Sequence, residues 1–132
     1  MPIVFLDAGV YIAAVRGEEE VARRALELLD NPRVELASSR FLMLEVLPWA
    51  RYQQRLDEVR FFEAIFGSIL HWPESEEAVV ERALRESAQH GIAAMDALHL
   101  AAALLVDAHE FVTTEKPTRP LYRAQGIRVR RL

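Results

Sequence analysis

Two kinds of apolar run alternate along this chain, and their lengths separate strands from helices. Ile3-Val4-Phe5-Leu6 is a short continuous run closed by Asp7. Such a run reads as a fully buried strand of a parallel sheet. Val34 to Ala37, Ile69 to Trp72 and Glu110 to Thr113 read as further short strands, and Ile127 to Arg130 alternates like an edge strand. Between them lie stretches with helical spacing. Val10 to Val15 opens a helix after a tight turn at Ala8-Gly9, with Gly17 as its end. Glu18 to Leu29 carries Val21, Ala25, Leu28 and Leu29 on one stripe, and Asp30-Asn31-Pro32 stops it. Ser38 or Ser39 can cap a helix from Arg40 to Tyr52. Pro48 removes the hydrogen bond to the Leu44 carbonyl, so a kink or a freed carbonyl is expected near Glu45.

The next helix, Gln54 to Gly67, is periodic in Leu56, Val59, Phe62 and Phe66. Pro73 to Ser75 starts another, which runs to Gln89 with Val80, Ala83, Leu84, Ser87 and Ala88 inward and Gly91 as its breaker. Last comes Ile92 to Val106. From Ala97 to Val106 it has no charge and one polar side chain, His99. Ala and Leu are strong helix formers, so this is a helix apolar nearly all round and therefore interior. It is shorter than the roughly 20 apolar residues that a bilayer span requires. Strands alternating with helices predict a three-layer α/β/α domain with a mostly parallel central sheet.

At 132 residues a single domain spanning 1–132 is expected, large enough to bury a core without staples. Cysteine is absent, which excludes a disulfide framework, a thiolate zinc site and thiol catalysis, and suits a reducing cytoplasm. The first residues show no basic region before their apolar run, so neither a signal peptide nor a membrane anchor is expected. A net charge of −4 argues against a general polyanion binder. Its distribution is uneven. From Lys116 to Leu132 there are six basic residues (Lys116, Arg119, Arg123, Arg128, Arg130, Arg131) and no acidic one. That strip suits either RNA phosphate or an acidic partner segment, or is simply a solvated terminal strand.

Four acids stand where an acid is unusual. Asp7 and Glu115 close apolar strands, and Glu45 and Asp96 interrupt apolar helices. In a parallel sheet both strand ends share one rim, and ligands bind at that rim. Each acid alone has a plainer account: Asp7 could cap a helix, Glu45 could pair with Arg40 or Arg51, Asp96 could compensate a helix dipole, and Glu115 could lie in a surface turn. Together they repel and call for cations, and an all-oxygen set selects Mg²⁺ or Mn²⁺ over zinc. Such ions activate water for phosphodiester hydrolysis.

The apolar strand ending in Asp7, the helical acid Glu45, the block IAAMDALHLAAA around Asp96 and FVTTE ending in Glu115 together resemble the PIN-domain family over essentially the whole chain. By length and order the likeness is to its small bacterial toxins, the VapC-like halves of toxin–antitoxin pairs. That resemblance implies a Mg²⁺-dependent endoribonuclease, often dimeric, held inactive by a cognate antitoxin, with Asp7, Glu45 and Asp96 as metal ligands. Glu115 replaces the family's common Asp and is assigned to the same site, with Thr113 or Thr114 assisting. Ala8 and Gly9 replace a hydroxyl residue and a polar one, which leaves a weak or inactive PIN-like module, binding RNA or a partner, as the alternative. His99, one turn after Asp96, reads as a packed or rim histidine. The aromatic surplus at Trp49, Phe61, Phe62 and Phe66 predicts a homodimer surface on the middle helices. A receiver-like domain is disfavoured because Asp7 stands alone, and a haloacid-dehalogenase phosphatase because Gly9 occupies the place of its second Asp.

Overall fold

In a computed structural model describing residues 1–132, β1 (Ile3–Leu6) lies inside a four-stranded sheet of order β2-β1-β3-β4. β2 is Glu35–Ala37, β3 is Glu110–Thr113 and β4 is Arg128–Arg131. All three pairings are parallel, with Phe5 opposite Ala37 on one side and Phe111 on the other. Val4, Phe5 and Leu6 are buried, as a strand covered on both faces requires. The segment Ile69 to Trp72 does not become a strand; it meets the sheet through a single bridge between Ala37 and His71.

Six helices flank the sheet: α1 (Ala8–Arg16), α2 (Glu19–Leu29), α3 (Arg40–Tyr52), α4 (Leu56–Ser68), α5 (Glu76–His90) and α6 (Ala94–Leu105). They pack chiefly as the pairs α1 with α2, α3 with α4 and α5 with α6. Ser39, rather than Ser38, caps α3 by accepting from the Leu42 amide at 3.2 Å. That helix continues through Pro48. Ser75 caps α5, and Gly91 closes it at φ +67°, a left-handed conformation that glycine adopts without a Cβ penalty. No turn separates β1 from α1. Asp7 is itself the cap, and Ala8 is already helical.

α6 is interior as its composition predicts, with Ala97, His99, Leu100, Ala101, Ala102 and Ala103 all buried. Phe5 stacks on Phe111 at 5.4 Å between centroids, joining β1 to β3 across the core. α5 turns a different stripe inward from the one its sequence suggests. Val79, Ala83 and Glu86 are buried, whereas Val80 and Leu84 are exposed. The two stripes differ by one residue, a rotation of about 100°, and both have helical spacing. Burial of Glu86 is supported by Arg82, whose Nε donates to it at 3.1 Å.

The aromatic surplus also divides. Phe62 and Phe66 are core residues, Tyr11 stacking on Phe66 at 5.2 Å, and Phe61 is half-buried against Phe62. Leu56 lies outside. Of these four aromatics, Trp49 alone is exposed, and it pairs with the exposed Tyr52. The terminal basic strip is partly committed internally: Arg130 and Arg128 pair with Glu110, Arg119 with Glu115, and Arg123 donates to the His90 carbonyl. No helix is long and apolar enough to cross a membrane.

These packing assignments set the ranking of two leucines. Leu100→Ala, in the middle of α6, is expected to cost about 2–5 kcal/mol in urea unfolding. Leu84→Ala, on the outer stripe of α5, is expected to change stability by less than about 0.5 kcal/mol. A comparable loss at both positions would contradict the observed rotation of α5.

Candidate active site

Parallel pairing brings the exits of β1 and β3 side by side, and with them Asp7 and Thr113. Asp7 is 7% exposed. Its Oδ1 accepts from the Ala8 amide at 2.8 Å and its Oδ2 from the Thr113 hydroxyl at 2.9 Å. Thr113 is fully buried and its Oγ1 also accepts from the Glu115 amide at 3.1 Å, tying the turn after β3 to the end of β1. β1 has β2 on one side and β3 on the other, so Asp7 stands where the strand order reverses, the usual ligand crevice of an open parallel sheet.

The other acids reach the same rim from different layers. Asp96 lies in the first turn of α6, whose C-terminal end leads back into β3, so its N-terminal end faces the strand exits. Ala93, not Asp96, is the helix cap, and the Asp96 side chain is half-buried. Glu45 projects from α3. Its Oε1 lies 2.8 Å from Nε2 of His99, and its side chain is 35% exposed. The plainer pairings fail: Arg40 goes to Glu76 and Arg51 to Glu63. Glu115, two residues beyond β3, is half-buried with Arg119 Nε 3.6 Å from Oε2.

Electrostatics shows that the four belong to one neighbourhood. Burial pushes the Asp7 carboxyl above its ordinary range; His99, Thr113 and the Ala8 amide draw it part of the way back, and Glu45 adds repulsion. Asp96 is likewise raised, first by burial, then by the charges of Asp7 and Glu115, with His99 and Arg119 opposing. Glu45 is lowered, chiefly by its hydrogen bond to His99. The rim thus holds two carboxyls that resist ionisation and one that is stabilised as an anion.

The donors offered to an ion here are carboxylate oxygens, from Asp7, Glu45, Asp96 and Glu115. No three of the acidic or histidine side chains are grouped closely enough to hold a metal by themselves. Zinc asks for a closed set of nitrogen or sulfur ligands, which is lacking. Magnesium takes one or two carboxylates directly and keeps several waters, and this donor set fits it.

His99 is the residue whose part in the site was not foreseen. It packs as a core residue, 1% exposed, yet its single hydrogen bond is to Glu45. Its spacing of three from Asp96 placed it on the correct helix face, but nothing in the sequence pointed across to α3.

Because the fold raises Asp96, the neutral side chain is the one it favours, and the associated stability is lost as pH rises through the folded-state pKa. In EDTA near pH 7.5, Asp96→Asn is expected to melt at a higher temperature than the parent. That advantage shrinks as pH falls toward and below the ordinary aspartate value of 3.8, where the Asp96 carboxyl becomes neutral in the folded and unfolded chain alike. Scanning calorimetry across that range checks it, and an equal or lower melting temperature for the variant at pH 7.5 would contradict the repulsion.

The family model described as "PIN domain" matches residues 4–116. No curated protein matches significantly. Among solved structures, the chain is similar to VapBC2 from Rickettsia felis bound to a promoter DNA fragment, at TM-score 0.69 and 16% identity over 98% of each chain. It is also similar to a toxin–antitoxin complex from Klebsiella pneumoniae, at 0.69 and 20% over 94% of each. A third likeness is to FitAcB from Neisseria gonorrhoeae, at 0.65 and 22% over 96% of this chain and 95% of that one. At these identities the structures establish a shared fold. The family match spans most of the chain, including all four rim acids, and the protein belongs to the PIN domain family.

Proposed function

We propose that the chain is a Mg²⁺-dependent endoribonuclease, with Mn²⁺ able to substitute, acting as the toxin of a toxin–antitoxin pair. The supporting observation is the rim itself: at the sheet's switch point burial raises the Asp7 and Asp96 carboxyls, and acids from other layers add repulsion, Glu45 on Asp7 and Asp7 with Glu115 on Asp96. A fold gains nothing from that repulsion in the absence of a cation. Asp7, Glu45 and Asp96 would hold the ion, and Glu115 would complete the site.

The residues divide the work. Asp7 is held rigid by Ala8 and Thr113, which fixes one oxygen pair at the end of β1. Asp96 and Glu115 add negative charge from α6 and from the turn after β3, and Arg119 beside them offers a guanidinium to a phosphate. A divalent cation held by these carboxylates would supply an activated water and charge neutralisation at a phosphodiester. The protein partner is a cognate antitoxin, the class of complex named for the similar Klebsiella structure. The setting is cytoplasmic, where the RNA substrate is. We assign the homodimer contact to the exposed outer edge of α3 at Leu44, Trp49 and Tyr52, since Phe62 and Phe66 are spent in the core.

One observation favours the second reading, a weak or inactive binding module: the acids do not close into a direct three-ligand set. Cleavage of labelled RNA in Mn²⁺ decides between them. The nuclease reading expects activity that disappears in EDTA and falls about 100-fold or more in Asp7→Asn and in Asp96→Asn. Metal stabilisation of the transition state is worth several kcal/mol, and about 1.4 kcal/mol makes a factor of ten. Equal cleavage by parent and variants would mark a contaminating ribonuclease. Absent cleavage and absent Mn²⁺ heat together would establish the binding module. For the oligomer, light scattering at tens of micromolar is expected to give the mass of two chains, and Trp49→Arg to return it to one.

A further inference from the structure

Apart from Asp96, the other residues of α6 are uncharged, all Ala or Leu except Met95, so a polar ring within this core needs a reason. Core packing does not supply one. The ring lies 6.3 Å from Phe5 between centroids, a place that an apolar side chain would fill without polar atoms to satisfy. Its Nδ1 is buried with no hydrogen-bond partner, so the histidine is not there to serve a buried network. The one polar contact it makes is Nε2 to Oε1 of Glu45, at 2.8 Å and 54 residues away in sequence.

The direction of that contact follows from chemistry. A glutamate side chain is ordinarily an anion at neutral pH, and a carboxylate only accepts. The proton of the contact is therefore on Nε2, whether the ring is neutral or charged. Glu45 otherwise stands on the outer part of α3 with no arginine to hold it, and a long side chain there samples several rotamers. A donor rooted in the core removes that freedom. It leaves Oε2 as the oxygen without a protein donor.

We propose that His99 is a positioning residue, donating Nε2–H from inside the core to Oε1 of Glu45 and so fixing that carboxylate for the divalent ion. This rests on the metal-site reading above and deepens it. Hydrogen-bond partners behind a ligand fix its orientation, and their removal generally weakens metal binding or activity about 10–100-fold. A purely structural pair, in which Glu45 merely satisfies a buried ring, would affect stability and leave the ion's affinity alone.

The experiment is Mn²⁺ calorimetry on metal-free parent, His99→Leu, His99→Gln, Glu45→Gln and the His99→Leu/Glu45→Gln double variant, each checked by thermal unfolding. Folded His99→Leu is expected to bind Mn²⁺ about 10–100-fold more weakly. His99→Gln, which keeps a donor, is expected to recover part of that loss and keeps the test open if His99→Leu fails to fold. In the Glu45→Gln background, His99→Leu should add little. In parallel, ¹⁵N spectra of the imidazole should show a protonated Nε2 in the parent and a loss of that preference in Glu45→Ala. Unchanged Mn²⁺ affinity in a folded His99 variant, or an equal loss without the Glu45 carboxylate, would overturn the positioning role alone. A parent chain that binds no Mn²⁺ would overturn the metal-site reading and this inference with it.

Discussion

Like charges crowded at one end of a parallel sheet are the constraint around which this molecule is arranged. Parallel pairing of β1 with both β2 and β3 leaves no choice about where Asp7 sits: it ends a central strand, 7% exposed, next to the exit of β3. Burial makes its ionised form costly, and the charge of Glu45 adds to that cost, as Asp7 and Glu115 add to the cost of Asp96. The fold answers with local donors, the Ala8 amide and the Thr113 hydroxyl for Asp7 and the His99 ring for Glu45. Asp96 has no such donor. What remains uncompensated is concentrated there, half-buried between Asp7 and Glu115.

The same constraint explains why α6 is so apolar. Its N-terminal turn must present Asp96 at the rim while the rest of the helix passes through the core, so polarity is confined to the first turn and to His99. Small residues at Ala101, Ala102 and Ala103 let the helix lie fully buried, and Leu100 provides bulk. Stability and chemistry are thus divided along one helix. Its C-terminal two-thirds anchor the position of its charged end.

Much of this could be read from the chain because it depends on local order. A four-residue apolar run that stops at an acid reads as a buried strand with the acid at its edge, and the uncharged stretch after Asp96 reads as interior. The four acids were recognisable because each broke an apolar pattern. What could not be read was rotation and pairing across the fold. Two stripes of α5, offset by one residue, both have helical spacing, and in the fold the one carrying Val79, Ala83 and Glu86 turns inward, with Arg82 bonded to the buried Glu86. Phe62 and Phe66 looked like surplus until Tyr11 of α1 closed over Phe66. His99 and Glu45 lie on separate helices, and helical spacing says nothing about which helices meet. Ile69 to Trp72 has strand composition, yet only His71 reaches the sheet.

Ala8 and Gly9 show how a missing side chain can have a geometric cause. Gly9 is not in a turn; it is the second residue of α1, and a Cβ built there would lie 2.1 Å from the Thr114 Oγ1. Any side chain at position 9 would therefore require Thr114 to rotate away. The volume is filled from the neighbouring strand exit, by a hydroxyl, at the first turn of the helix that Asp7 caps. Ala8 is buried at 3% and leaves no room for polar contact with solvent. A polar group is thus present at this point of the rim, but the turn after β3 supplies it. The two small residues after Asp7 and the two threonines before Glu115 form one fitted arrangement, in which shortening one segment makes space for the other.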